Sequence, residues 1–308
     1  MNQLTEITQA FAAGRLTKPA FVEAMYGEHA RLFDYQRRLA DVNIAQIKIG
    51  PDGVAMQFRD PAVWMGCPEN DVRIAPVEAF NFGNYEAAEV QAVRRIIGLL
   101  GGAAVRLLDI GANAGFYSLA LAHYFPGLRG EAFEPIPTTF TQLQRNLALN
   151  GVTHIRPHNL GLSDRDGELV FYTYASQSGA SSMTRNLDSP DAREVRCAVR
   201  RLDDLGAAAD FIKCDVEGAE LFVFRGAEKL LARDRPAIFT EMLRKWCANY
   251  HYHPNDIISF LGQHGYQCHV IHGDRLRACA TVTEQTVETN FLFLHRERHA
   301  GPLATLAD

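Results

Sequence analysis

The segment VRLLDIGANAG, Val105 to Gly115, carries an apolar run into a glycine turn. Val105, Leu107, Leu108 and Ile110 read as a buried strand, and a helix is expected to begin near Phe116. Inside the turn stand an acid, Asp109, two glycines, Gly111 and Gly115, and a small polar residue, Asn113. Glycine lets the backbone turn tightly and approach a neighbour closely, and the helix that follows opens with unpaired N–H groups. A strand, a glycine turn and a helix in this order predict a ligand-binding turn of an α/β fold.

Charge narrows the ligand. A dinucleotide turn reads G-x-G-x-x-G and sets pyrophosphate on the helix N-terminus. Here the pattern is D-x-G-x-N-x-G, so an anion would face the Asp109 carboxylate. S-adenosylmethionine, with a sulfonium, an ammonium and a carboxylate, suits it better. Asp109, Gly111, Asn113 and Gly115 are expected around its methionine half. The strand GLRGEAFE ends in Glu134, where one carboxylate can accept hydrogen bonds from both ribose hydroxyls. After a third strand, Leu162, Ser163 and Asp164 are placed beside adenine.

Downstream, the buried strand Phe211 to Cys214 delivers Asp215 and then Glu217-Gly218 into a helix. Strand alternation puts Lys213 and Asp215 on one face. The next strand, Ala237 to Glu241, ends in a second carboxylate. Asp215 is expected to hold the cofactor's ammonium, and Asp215 with Glu241 forms a hard oxygen pair suited to Mg²⁺. Without a metal, the candidates for the base are Asp215, Lys213 if burial lowers its pKa, and His251 or His253 in the following loop. The metal-free route with a histidine base is preferred, since no full ligand set is legible.

With 308 residues, 47% hydrophobic and 22% charged, the composition is that of a soluble globular protein. A formal net charge of −5 gives no basic footprint for nucleic acid. Six scattered cysteines form no C-x-x-C pair and are expected to be free thiols of a reducing cytoplasm. The opening residues lack the features of a signal peptide, and no apolar run approaches the ~18 residues of a membrane span. A cytoplasmic protein without membrane contact is expected.

Residues 1–80 are expected to form an extension ahead of an α/β domain at 81–300. Leu4 to about Ala40 has helical apolar spacing, and IAQIKIGPDGVAMQF alternates about Pro51-Asp52-Gly53 as a hairpin would. The helices are expected to pack on a second subunit as a homodimer, to cover the active site, or to cap their own core. Tyr85 to Leu100 is a helix closed by Gly101-Gly102. ELVFYTY is a strand running into SGASS, Ser178 to Ser182, a small polar loop expected at the substrate side of the cleft.

Together, LLDIGANAGFYSLA, AFEPIPTTFTQLQRNLALN, LSDRDG, SGASS, RRLDDL, DFIKCDVEGAELFVFRGA, PAIFTE and TNFLFL resemble the FkbM family of S-adenosylmethionine-dependent methyltransferases. The resemblance spans roughly Tyr85 to His295. Cys214 stands where the family more usually has an aliphatic residue; as a small buried hydrophobe it leaves function unaffected. The resemblance implies a class I methyltransferase, Rossmann-like seven-stranded sheet with helices on both faces. It also implies O-methylation of a small-molecule acceptor such as a sugar or polyketide-type metabolite. A peptide, protein or amino-acid-derived acceptor and a non-catalytic nucleotide-binding module are the alternatives. A nucleic-acid substrate is disfavoured, because CDVEG occupies the place where amino-methylating enzymes often carry Asp/Asn-Pro-Pro-aromatic.

Overall fold

A computed structural model describes residues 2–185, 188–273 and 275–306. The chain opens with helices α1 (Gln3–Ala12) and α2 (Lys18–Arg38), then strands β1 (Ile44–Gly50), β2 (Gly53–Phe58) and β3 (Trp64–Cys67), then α3 (Ala75–Phe82) and α4 (Ala87–Leu100). The alternating part follows: β4 (Arg106–Ile110), α5 (Phe116–Tyr124), β5 (Arg129–Phe133), α6 (Pro137–Leu149) and β6 (Ile155–His158). Short β7 (Gly161–Leu162), β8 (Gly167–Tyr174) and β9 (Ala192–Arg200) intervene before β10 (Phe211–Cys214), α7 (Glu220–Arg225), α8 (Glu228–Asp234) and β11 (Ala237–Glu241). The chain continues through α9 (Arg244–Asn249), α10 (Pro254–Gln263), β12 (Tyr266–His272), β13 (Arg275–Ala278), β14 (Asn290–His295) and α11 (Ala300–Leu306).

The central sheet has the order β13-β12-β14-β11-β10-β4-β5-β6. Strands β4, β5, β6, β10 and β11 are parallel, and β14 inserts antiparallel between β11 and β12. This is the doubly wound arrangement of class I methyltransferases, with order reversing between β4 and β10, where such sheets bind ligands. One strand more is present than the seven expected, because RLRA folds back on β12 and extends the sheet edge as β13.

Alternation along β4 splits the core. Leu107 packs with Leu119 and Phe116 on one face, and Leu108 and Ile110 pack with Phe224 and Leu261 on the other. Seven of the nine residues of α5 are buried. A helix apolar on every side needs a second cover, and the N-terminal region supplies it: the Phe116 ring lies 5.1 Å from Phe58 and 5.0 Å from Tyr85.

That region differs from the expected hairpin. It is a three-stranded antiparallel sheet, β1-β2-β3, seated on α6. The edge of β3 that faces away from β2 finds its partners in asparagine side chains: Trp64 N donates to Asn150 Oδ1 (2.8 Å), Asn150 Nδ2 donates to Trp64 O (2.7 Å), and Gly66 N donates to Asn146 Oδ1 (2.9 Å). Asn146 also donates from Nδ2 to Ala114 O (2.8 Å), so one buried amide joins β3 to the glycine turn. Helices α1 and α2 have no buried residue, and among the described residues no helix is long and apolar enough to cross a membrane. Asn146→Ala would strand a backbone N–H and a carbonyl. An unsatisfied buried group costs about 1–3 kcal/mol, so urea unfolding of this variant is expected to show a loss of at least about 2 kcal/mol.

Candidate active site

A cavity of about 480 Å³ opens at the carboxyl ends of β4, β5, β10 and β11, within the size range of small-molecule sites. The turn after β4 forms its floor. Gly111 has φ +70° and Asn113 φ +49°, and Gly115 caps α5 at φ +93°. A Cβ on Gly111 would lie 1.8 Å from the carbonyl oxygen of Asp215, and one on Gly115 would lie 2.6 Å from Leu143 Cδ1. These glycines therefore serve first to press the turn against β10 and α6.

Asp109 departs from its expected place beside the ligand. It alternates onto the face of Leu107, is fully buried, and accepts from Ser118 N (3.1 Å) and Ser118 Oγ (2.6 Å). Its carboxylate thus anchors the first turn of α5, where negative charge is favoured, and it does not line the cavity. Gly115, Ser163 and Asp164 are likewise absent from the lining, whereas Gly111, Asn113, Glu134 and Leu162 belong to it. After Leu162 the chain stays paired with the end of β9, where Ser163 N donates to Arg200 O (3.0 Å).

Glu134 holds the turn from the next strand end. Its Oε2 accepts from Asn113 N (3.0 Å) and its Oε1 from Ile136 N (2.8 Å). Burial pushes its pKa up to about 7, against the pull of these two N–H donors. Each oxygen retains acceptor capacity toward the cavity.

The opposite wall is acidic. Ligating oxygens of Asp215, Glu217 and Glu241 lie within 4.8 Å of one another. Burial first, then Asp215 and the other neighbouring carboxylates, push Glu241 up to about 10 and raise Glu217 as well. Glu86 joins them; it accepts from Tyr117 Oη (2.6 Å), and burial raises its pKa. Lys213 Nζ donates to Gly111 O (3.0 Å) and lies 3.5 Å from Asp215 and 3.9 Å from Asp109. Although burial opposes its charge, Asp215, Asp109 and Glu86 hold its pKa above the ordinary lysine value. The lowered pKa on which the candidacy of Lys213 as base depended is not found, and the candidacy falls with it.

Neither histidine reaches the cavity. His253 caps α10, its Nδ1 accepting from Asn255 N (3.2 Å) while its own N–H donates to Asp256 (2.8 Å). His251 is exposed in the loop after α9, with φ +60°. The preferred histidine base is therefore displaced by geometry.

The front wall comes from two segments. The SGASS loop lines the cavity from Ser178 to Ser181, and Ser178 donates to Asp71 (2.5 Å) from the N-terminal region. Arg73, Ile74, Ala75 and Glu78 line it as well, but no residue of α1 or α2 does, so the segment around α3 takes the place expected of the helices. Glu86 and Glu217 were missed as site residues. Both sit at positive φ, +44° and +54°, a conformation unusual outside glycine and found at functional sites. The Asp-Val-Glu-Gly run was the available signal for Glu217, whereas Glu86 is expected inside a helix from Tyr85 and instead stands just ahead of α4, which begins at Ala87.

A family model described as the methyltransferase FkbM domain matches residues 109–268, which is 160 of 308 residues and more than half of the chain. The chain belongs to the FkbM methyltransferase family. Among its relatives, Methyltransferase 1 of Beauveria bassiana is 33% identical over 144 residues, covering 40% of this chain and 58% of the relative. Methyltransferase sdnD of Sordaria araneosa is 29% identical over 156 residues, covering 40% and 60%. The chain thus spans less than two thirds of either relative. The crystal structure of an FkbM methyltransferase from Methylobacillus flagellatus is similar at 21% identity and a TM-score of 0.40, over 61% of this chain and 43% of that one. The FkbM match begins at Asp109, so Glu86, Arg73 and Glu78 lie ahead of it.

Replacing Lys213 by methionine would leave Asp109, Asp215 and Glu86 without their shared cation. Removing one partner of a buried charge pair costs about 3–5 kcal/mol, and denaturant titration of Lys213→Met is expected to show a loss of that size. Protonation of the remaining carboxylates substitutes for the ammonium, so the deficit should shrink as pH falls from 8 toward 5.

Proposed function

We propose that the chain is an S-adenosylmethionine-dependent O-methyltransferase acting on a hydroxyl of a small molecule, such as a sugar or polyketide-type metabolite. The observation carrying this reading is a cavity with the D-x-G-x-N-x-G turn at its floor, Glu134 on one side and a wall of carboxylates on the other. Its lining holds six acids, Glu78, Glu86, Glu134, Asp215, Glu217 and Glu241, against three bases, Arg73, Lys213 and Lys245. That excess suits a doubly cationic donor and opposes a pyrophosphate.

When bound, the donor supplies a methyl group activated by its sulfonium. Glu134 would take the ribose hydroxyls, Leu162 and Ile136 would cover the adenine, and Asp215 would face the ammonium. Methyl transfer is an in-line displacement, so the chain must align the acceptor oxygen and take up its proton. Glu241 and Glu217, beside Asp215, are the groups placed to do this. A cation nearby lowers the pKa of each and returns Glu241 to a form that accepts a proton. The neighbouring Trp246 and Tyr85 offer apolar surface to the rest of the acceptor.

A second reading is supported by the spacing of Asp215, Glu217 and Glu241: three hard oxygen donors would hold Mg²⁺, with an acceptor hydroxyl activated beside it. Exhaustive EDTA treatment separates the two. With tritiated S-adenosylmethionine and a panel of sugar and polyketide alcohols, turnover that survives chelation supports Glu241 as the proton acceptor. Activity lost with EDTA and restored by Mg²⁺ or Mn²⁺ supports the metal. Transfer only to peptides would replace the acceptor class.

Donor binding is testable apart from turnover. By calorimetry, Glu134→Ala is expected to weaken S-adenosylhomocysteine binding by about 1.5–3 kcal/mol, the worth of hydrogen bonds to a charged group. Ribose hydroxyls favour the ionised carboxylate, and Glu134 titrates near 7. Affinity should therefore rise about tenfold from pH 6 to pH 8, and Glu134→Gln should remove that rise.

A further inference from the structure

At the edge of the central sheet, β12 and β13 pair antiparallel with His269 opposite Ala278. The next step of this register sets Cys268 opposite Cys279, and Cys279 N donates to Cys268 O at 2.9 Å. Opposed residues that share such a bond have Cα atoms about 5.5 Å apart. A disulfide spans about 4.4–6.8 Å between Cα atoms. The side chains of opposed residues stand on the same side of a sheet, and the Cys279 thiol also donates to Thr281 O (3.6 Å). Both cysteines are free, Cys268 buried and Cys279 half-buried, and neither lines the proposed active site.

We propose that Cys268 and Cys279 form a redox-active dithiol that a hydroperoxide closes into a cross-strand disulfide. The two sulfurs differ as attacking and resolving thiols must. The neighbouring Cys268 thiol draws the Cys279 thiol down to about 7, in spite of partial burial, while burial pushes the Cys268 thiol up. Cys279 is also the sulfur with access to solvent, and the thiolate is the reactive form. Its sulfur attacks one peroxide oxygen, the O–O bond breaks, and an alcohol (water from hydrogen peroxide) departs, leaving a sulfenic acid. The Cys268 sulfur then attacks the sulfenic sulfur, the S–S bond forms, and water leaves with the proton of Cys268. Two thiols are oxidised by two electrons and one hydroperoxide is reduced.

The test uses the full chain and stoichiometric hydrogen peroxide, followed by thiol counting in denaturant. The wild type is expected to lose two of its six thiols and about 2 Da of mass, and to regain both with dithiothreitol. Trypsin cuts after Arg275 and Arg277 and separates the two cysteines, so fragment ions should place the bond between Cys268 and Cys279 rather than at Cys247. Cys279→Ser, checked for native circular dichroism, should retain its remaining thiols under the same dose. A linkage elsewhere, a disulfide between two chains, sulfinic acid at Cys279 without a linked peptide, or unchanged thiol loss in Cys279→Ser would overturn the proposal.

Discussion

The pairing of Lys213 with Asp109, directly opposite in the parallel register of β10 with β4, is the interaction on which the rest depends. Two charges meet in the middle of an apolar sheet, and each is held by further groups. Asp109 takes the N–H and hydroxyl of Ser118, and Lys213 takes the carbonyl of Gly111 and the carboxylate of Asp215. A buried pair of this kind contributes little net stability against apolar replacements, and its worth lies in geometry. Here it fixes helix α5, the glycine turn and the end of β10 relative to one another. The cavity floor follows from that arrangement.

The cavity walls are added by a different device. Asn146 of α6 and Asn150 at its C-terminal cap satisfy the free edge of β3, and Asp71 holds Ser178 in the loop after β8. Side-chain amides and carboxylates thus complete hydrogen bonding where no neighbouring strand is present. Through Asn146 and Ser178 both N-terminal contacts reach the turn itself, at Ala114 and at Asn113. The segment ahead of the FkbM match is consequently part of the site wall, with Arg73, Glu78 and Glu86 facing the same space as Glu241.

Much of this was legible in the sequence where side-chain period and chain direction suffice. The β4 turn, the strand-end acids Glu134, Asp215 and Glu241, and the order of alternating strands and helices are local patterns. Asp109 was misread for want of applying alternation to it: two residues beyond Leu107, it had to face α5. The histidines were misplaced because proximity to β11 in sequence says nothing of which way a loop leaves a sheet. Lys213 stood as a candidate base on condition that burial discharge it; beyond Asp215 at its own strand end, Asp109 and Glu86 from two distant segments surround it, a long-range fact that no window of sequence contains. The third strand of the N-terminal sheet escaped notice because it is four residues long, and the edge it turns away from β2 is satisfied by asparagines some eighty residues away.

Glu86, Asn113 and Glu217 are three of the five non-glycine residues that adopt left-handed backbone among the described residues, and all three line the cavity. Such a conformation costs of order 1–3 kcal/mol at each position. Glycine would relieve it, so the site residues are the very ones a search for greater thermal robustness would single out. Selection for robustness alone would thereby erode the acidic wall one carboxylate at a time while the sheet remained intact. Fold and site in this chain are under opposed pressures at these three residues, and a variant's melting temperature carries no information on whether its cavity is still chemically complete.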